Sequence, residues 1–127
     1  MENTTGNFLE FVIEKEYVEI FKQAMDLIPL NSSCKIFFDS TTCEENKCAI
    51  DIYPLNKNGN YDLHMQINAT NLRYFKCQIP KFSIITNSNP LKNRVNKITT
   101  NDPVIFYIKN PNEEIFIYNL DKNNNHY

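Results

Sequence analysis

Only twice along this chain does the spacing of apolar residues lengthen from two to three and four. In KEYVEIFKQAMDLIPL (15–30), Tyr17, Ile20, Phe21, Ala24, Leu27 and Ile28 recur at helical intervals, which predicts an amphipathic helix ended by Pro29. Its outer face would carry Glu19, Lys22, Gln23 and Asp26. In SNPLKNRVNKITT (88–100), Leu91, Val95 and Ile98 fall on one narrow stripe, with Lys92, Asn93, Asn96 and Lys97 opposite. Asn89 reads as the N-cap of that second helix and Pro90 as its first residue.

All other apolar runs are short and bounded by polar turns, which is the pattern of strands. They lie at 7–14, 34–38, 48–55, 61–68, 72–77, 82–86, 104–109 and 114–120. The Asn-Gly pair in NKNGN predicts that the strands on either side of it pair antiparallel. The expected order is β-α-β-β-β-β-β-α-β-β. Short connections give an α+β fold: a mostly antiparallel curved sheet with both helices on one face. At 127 residues the chain supports a single domain, with a core over about 8–120 and a frayed tail at 121–127.

Composition removes several function classes. Two glycines leave no phosphate-cradling loop, and neither G-x-G-x-x-G nor G-x-x-x-x-G-K-[ST] occurs. Cysteines at 34, 43, 48 and 77 lack zinc-ligand spacing and are read as reduced and structural, so no metal or other cofactor is expected. His64 falls on the polar side of a strand and His126 in the tail, neither with an evident nucleophile or carboxylate beside it. The chain is therefore expected to be non-catalytic. Glu2 and the absence of an apolar run at the N-terminus predict no signal peptide, and no stretch reaches the ~20 apolar residues that span a bilayer. An intracellular protein with no membrane partner is expected.

The formal net charge is −2, but it is unevenly spread. Residues 1–70 carry a net −6, residues 71–109 a net +6 and the last 18 a net −2. Such a dipolar domain can meet a polyanion on one side only. The aromatic residues, 13% of the chain, lie mostly inside runs that need a core, with Tyr53 and Tyr61 the best candidates for exposure. The Asn-, Ile- and Lys-rich usage points to an AT-rich coding genome, as in a virus or a protist.

Taken in order, these pieces resemble the amino-terminal domain of the sliding DNA clamps of the proliferating cell nuclear antigen family. The likeness runs from about residue 8 to 118. It rests on EYVEIFKQAMDLI as the first helix, four strands through LHMQIN, the segment LRYFKC, and the series FSIITNSNPLKNRVNKITTNDPVIFYI. The resemblance implies a ring with helices lining its inside and sheets outside, built from this chain or from other clamp-like chains. It implies non-specific phosphate contacts to duplex DNA by Lys92, Arg94, Asn96 and Lys97, with Lys22 the first helix's sole contributor. It implies a pocket for polymerases and other clamp-binding proteins at Leu55, Tyr61 and Leu63, and a subunit edge at Ile115, Ile117 and Leu120. On this view the protein acts with DNA, in a nucleus or at a viral replication site. An alternative keeps the fold but makes the chain a protein-binding scaffold in a non-replicative complex, because Glu19 and Asp26 place acid where clamps favour positive charge.

Overall fold

The computed structural model describes residues 6–41, 48–55, 58–60, 63–121 and 123. Its elements follow the expected order: β1 (Leu9–Ile13), α1 (Val18–Asp26), β2 (Ser33–Asp39), β3 (Cys48–Pro54), β4 (Met65–Asn68), β5 (Leu72–Cys77), β6 (Lys81–Asn87), α2 (Ser88–Asn96), β7 (Val104–Ile108) and β8 (Ile115–Asn119). The fold is α+β, and every pairing between strands is antiparallel.

The strands divide into two sheets of four, ordered β5-β1-β7-β8 and β4-β3-β2-β6. The division follows from a repeat of the unit strand-helix-strand-strand. In both units the strands after the helix pair with each other, β2 with β3 and β7 with β8. Each unit then lends its first strand to the other unit's sheet: β1 pairs with β7 and β6 with β2.

Between the sheets lies one core to which both helices contribute, through Val18, Phe21 and Met25 of α1 and Leu91 and Val95 of α2. Phenylalanines stitch it together: Phe11 stacks on Phe106 at 4.6 Å between ring centres, and Phe38 on Phe82 at 6.2 Å. The aromatic runs thus serve mainly packing. A second, smaller cluster covers the other face of the β1-β7-β8 sheet, with Val12, Ile105, Tyr107 and Leu120 buried under the rings of Tyr74, Phe116 and Tyr118.

Local chemistry sets the ends of the elements. Pro29 follows α1 as expected, and Asn31 adopts φ 59°, a left-handed conformation that asparagine tolerates. The N-cap of α2 is Asn87 rather than Asn89: the Asn87 side chain accepts from the Asn89 N–H at 2.8 Å. Asn89 is engaged elsewhere, because its side chain exchanges two hydrogen bonds with Asn31, at 2.8 and 2.7 Å. Pro90 stays within the first helical turn, where an absent N–H leaves no bond unmade. Between β7 and β8, Pro111 precedes Asn112 at φ 78°, and Glu113 N–H closes onto Asn110 C=O at 3.1 Å. Asparagine provides the positive φ that such a tight turn requires.

Two residues expected on the apolar face of α1 turn outward instead. Ile20 and Leu27 are 65% and 63% exposed, while Val18 and Met25 take the core positions. The strand expected over 61–68 runs only from Met65 to Asn68, and Tyr61 lies outside the described residues. The tail beyond 121 is outside them too, apart from residue 123.

Candidate nucleic-acid interface

The residues expected to meet phosphate come together on the paired helices. The two helices run antiparallel, and each lysine near the middle of one reaches the C-terminal end of the other. Lys22 Nζ donates to Ile98 C=O at 2.6 Å, just beyond α2. Lys92 Nζ donates to Ile28 C=O at 2.5 Å and to Asp26 C=O at 3.3 Å, at the end of α1. The last carbonyls of a helix lack intrahelical donors and carry the negative end of its dipole, so an ammonium there both fills a bond and balances charge. This reciprocal bracing is what Lys22 and Lys92 do in the structure.

Arg94 forms an ion pair with Glu114 at 2.8 Å, linking α2 to the start of β8. Asn96 and Lys97 are exposed at the C-terminal end of α2. Among the described residues the Lys97 ammonium has no partner. Of the five side chains expected to contact phosphate, three therefore have bonds within the fold and two face outward unencumbered.

The surroundings of these cations are mixed. The exposed positions of α1 are Glu19, Ile20, Gln23 and Asp26, and Leu27 at its C-cap is exposed too. Ile20 borders a small apolar hollow of about 60 Å³ between α1 and β4, together with Tyr17, Ala24 and Met65. Below the α2 C-terminus, Asn119 organises the turn into β7. Its buried amide accepts from Thr99 N–H at 2.8 Å and donates to Thr99 C=O at 3.0 Å and Asp102 C=O at 3.2 Å. Nothing in the spacing of the sequence marks this residue, since its partners lie about 20 positions away.

Of the expected partner pocket, Leu55 and Leu63 are both half-buried near the ends of β3 and β4, and Tyr61 falls outside the described residues. The expected subunit edge is the outermost strand of its sheet, β8. Ile115 and Ile117 point into the main core and Leu120 into the second cluster, each 4% exposed. What β8 presents at its outer edge is backbone. In the other sheet the equivalent strand, β3, has that edge covered by β4.

The sequence reading left His64 without a carboxylate partner, and the structure supplies one. Its Nε2 lies 2.7 Å from Asp51 Oδ1, and its ring stacks on Tyr53 at 4.3 Å. The register of β3 against β4 creates this pair. Gln66 donates to the same carboxylate at 3.2 Å.

The two described thiols are free. Burial pushes Cys34 from its ordinary 9.0 up to about 11, and it raises Cys77 as well. Neither is a ready thiolate. Cys43 lies outside the described residues. Glu10, buried near the start of β1, accepts hydrogen bonds from Asn7 Nδ2 at 2.8 Å and from the Tyr74 hydroxyl. Burial and then that bond to Glu10 raise the Tyr74 phenol strongly. Among the described residues no three His, Cys, Asp or Glu side chains gather as a metal site, and no helix is long and apolar enough to cross a membrane.

No protein-family profile matches the chain. It is 43% identical over 128 residues to a protein of Acanthamoeba polyphaga mimivirus described as uncharacterized protein L52, covering all of this chain and 91% of that protein. It is also 27% identical over 86 residues to a protein of the same virus described as a probable DNA polymerase sliding clamp. That match covers 67% of this chain and only 18% of the clamp's length. Both similar proteins are viral, in keeping with the residue usage.

Proposed function

We propose that this chain, which belongs to one family with mimivirus protein L52, is a clamp-like subunit that tethers proteins to duplex DNA. The observation that carries the reading is the stretch of likeness to the probable sliding clamp, which falls on a fold of two helices and two antiparallel sheets. The protein would hold DNA through phosphates without reading bases, and catalyse nothing. Lys97, Asn96 and Arg94 at the end of α2 would touch the backbone. Lys22 and Lys92 would add positive potential while bracing the helices. So few cations bind weakly alone, and several copies around one duplex would add their counterion-release terms. The bare edge of β8 would join neighbouring subunits, and recruited enzymes would gain effective concentration at the DNA, at a viral replication site.

A second reading, a clamp-fold scaffold that binds mainly proteins, draws on α1. Its outward Ile20 and Leu27, flanked by Glu19 and Asp26, suit a protein surface better than a phosphate backbone.

Light scattering after size exclusion, with and without duplex DNA at low and high salt, separates the two. Tethering predicts an assembly larger than the monomer that co-elutes with DNA at low salt and releases it at high salt. Lys97→Glu should weaken the DNA complex without changing the assembly's mass. An assembly with no salt-dependent DNA binding would favour the scaffold, and a strict monomer that ignores DNA would sink the tether.

A further inference from the structure

We propose that the outer face of the β5-β1-β7-β8 sheet binds single-stranded nucleic acid, stacking bases on its aromatic rings and meeting phosphates with Lys76 and Lys109. Neither helix contributes to this face, so single-strand binding is independent of duplex tethering through the helix pair.

Strand register builds the face. Lys76, Glu10, Tyr107 and Phe116 form one row across the four strands, and Tyr74, Val12, Ile105 and Tyr118 form the next. Every second residue of a strand shares a face, so Lys109 stands on the same side as Tyr107. Both helices and the second sheet pack against the opposite face, in the main core. The aliphatic members of the outer cluster are sealed, with Val12 at 0%, Ile105 at 9% and Leu120 at 4% exposure. Tyr74, Phe116 and Tyr118 above them keep part of their surface in solvent. The Phe116 ring lies near-parallel to Tyr107, 5.0 Å away at 15°, and to Tyr118, 6.3 Å away at 19°. Near-parallel rings so displaced overlap only in part, which leaves ring surface for another aromatic group.

Two observations select the occupant. The first is that the accessible apolar surface of the cluster is aromatic. Exposed aliphatic side chains, which suit a protein partner, lie elsewhere, at Ile20, Leu27, Leu30, Ile79 and Ile85. Every base has a π-face, so a sheet bearing several rings takes two or three bases of an extended strand. The second is how charge is disposed. Lys109 Nζ sits over the Phe116 ring at 5.3 Å and Lys76 Nζ over Tyr74 at 5.2 Å, and among the described residues neither forms an ion pair. Each ammonium is thus held where the phosphate of a stacked nucleotide would lie. The one carboxylate within the two rows, Glu10, is 5% exposed and held by Asn7 and the Tyr74 hydroxyl. Carboxylates of the flanking residues are engaged: Glu14 with Arg73 at 3.0 Å, Glu114 with Arg94 at 2.8 Å, Glu113 with the Asn110 amide at 3.0 Å, and Asp121 with the Asn123 N–H at 2.8 Å.

The test titrates the whole protein with a fluorescently labelled oligothymidine and, separately, with the same strand annealed to oligoadenosine, reading anisotropy at several salt concentrations. The single strand should bind at low salt. Phe116→Leu/Tyr118→Leu, which keeps an apolar cover over Ile105 and Leu120, should weaken it about fivefold or more and leave duplex binding unchanged. Lys76→Met and Lys109→Met should each lower the slope of log affinity against log salt by about 0.7. Lys97→Glu, on the helix pair, should leave the single-strand titration as it is. In the unaltered protein, ring-proton NMR signals of Phe116 and Tyr118 should shift on adding the oligonucleotide while those of Phe11 and Phe106 in the core stay put. Absence of single-strand binding at low salt would overturn the proposal and leave the face to a protein partner. So would single-strand binding that moves none of the Phe116 and Tyr118 signals, or that Lys97→Glu abolishes.

Discussion

Asn119 shows how much one side chain can do when it replaces several missing backbone partners. It is 3% exposed, and its amide satisfies both the N–H and the C=O of Thr99 and the C=O of Asp102 in the turn between α2 and β7. Asn119→Ala would remove the side chain that pairs with the Thr99 N–H and C=O and ties this turn to β8. Chemical denaturation should show a loss of about 1–3 kcal/mol. A change within experimental error would mean that the turn holds itself. Asn89 offers a related lesson. A good N-cap residue stood where the sequence reading wanted one, yet the helix begins earlier because Asn87 can cap while Asn89 binds Asn31. Propensity identified the residue type and tertiary contact chose the role.

At the scale of elements, the helices are held to each other as well as to the core. Lys22 and Lys92 each close the carbonyl end of the opposite helix, so replacing either with methionine keeps the aliphatic stem and removes the bond. Each variant should lose about 1 kcal/mol in thermal or chemical unfolding. Lys97→Met, with no partner to lose, should stay near the parent's stability. Equal effects at all three positions would contradict the bracing. The reading from sequence treated Lys92 and Lys97 alike as solvated cations, because helical periodicity says which face a residue is on and not which carbonyls lie beyond it. The same limit explains Ile20 and Leu27: they fit the apolar period, but Val18 and Met25 take the core. The order of all ten elements, by contrast, was legible, since each strand is a short apolar run and each helix a clear change of period. The His64–Asp51 pair was not, because it exists only through the register of β3 with β4.

For the whole molecule, the repeat of strand-helix-strand-strand organises what is covered and what is left open. Exchange of first strands ties the halves into one core and leaves β8 and β5 at the edges of one sheet and β6 and β4 at the edges of the other. The edge of β8 would serve assembly, and its being an edge is invisible to periodicity, which cannot say how many sheets the strands form. The most direct test of the tether is topological. Linear duplex would be ligated into circles in the presence of the protein, washed at high salt, and then cut. A ring-forming tether predicts protein that survives the wash on closed circles and is released by the cut. Protein that washes off circles and linear duplex alike would contradict it.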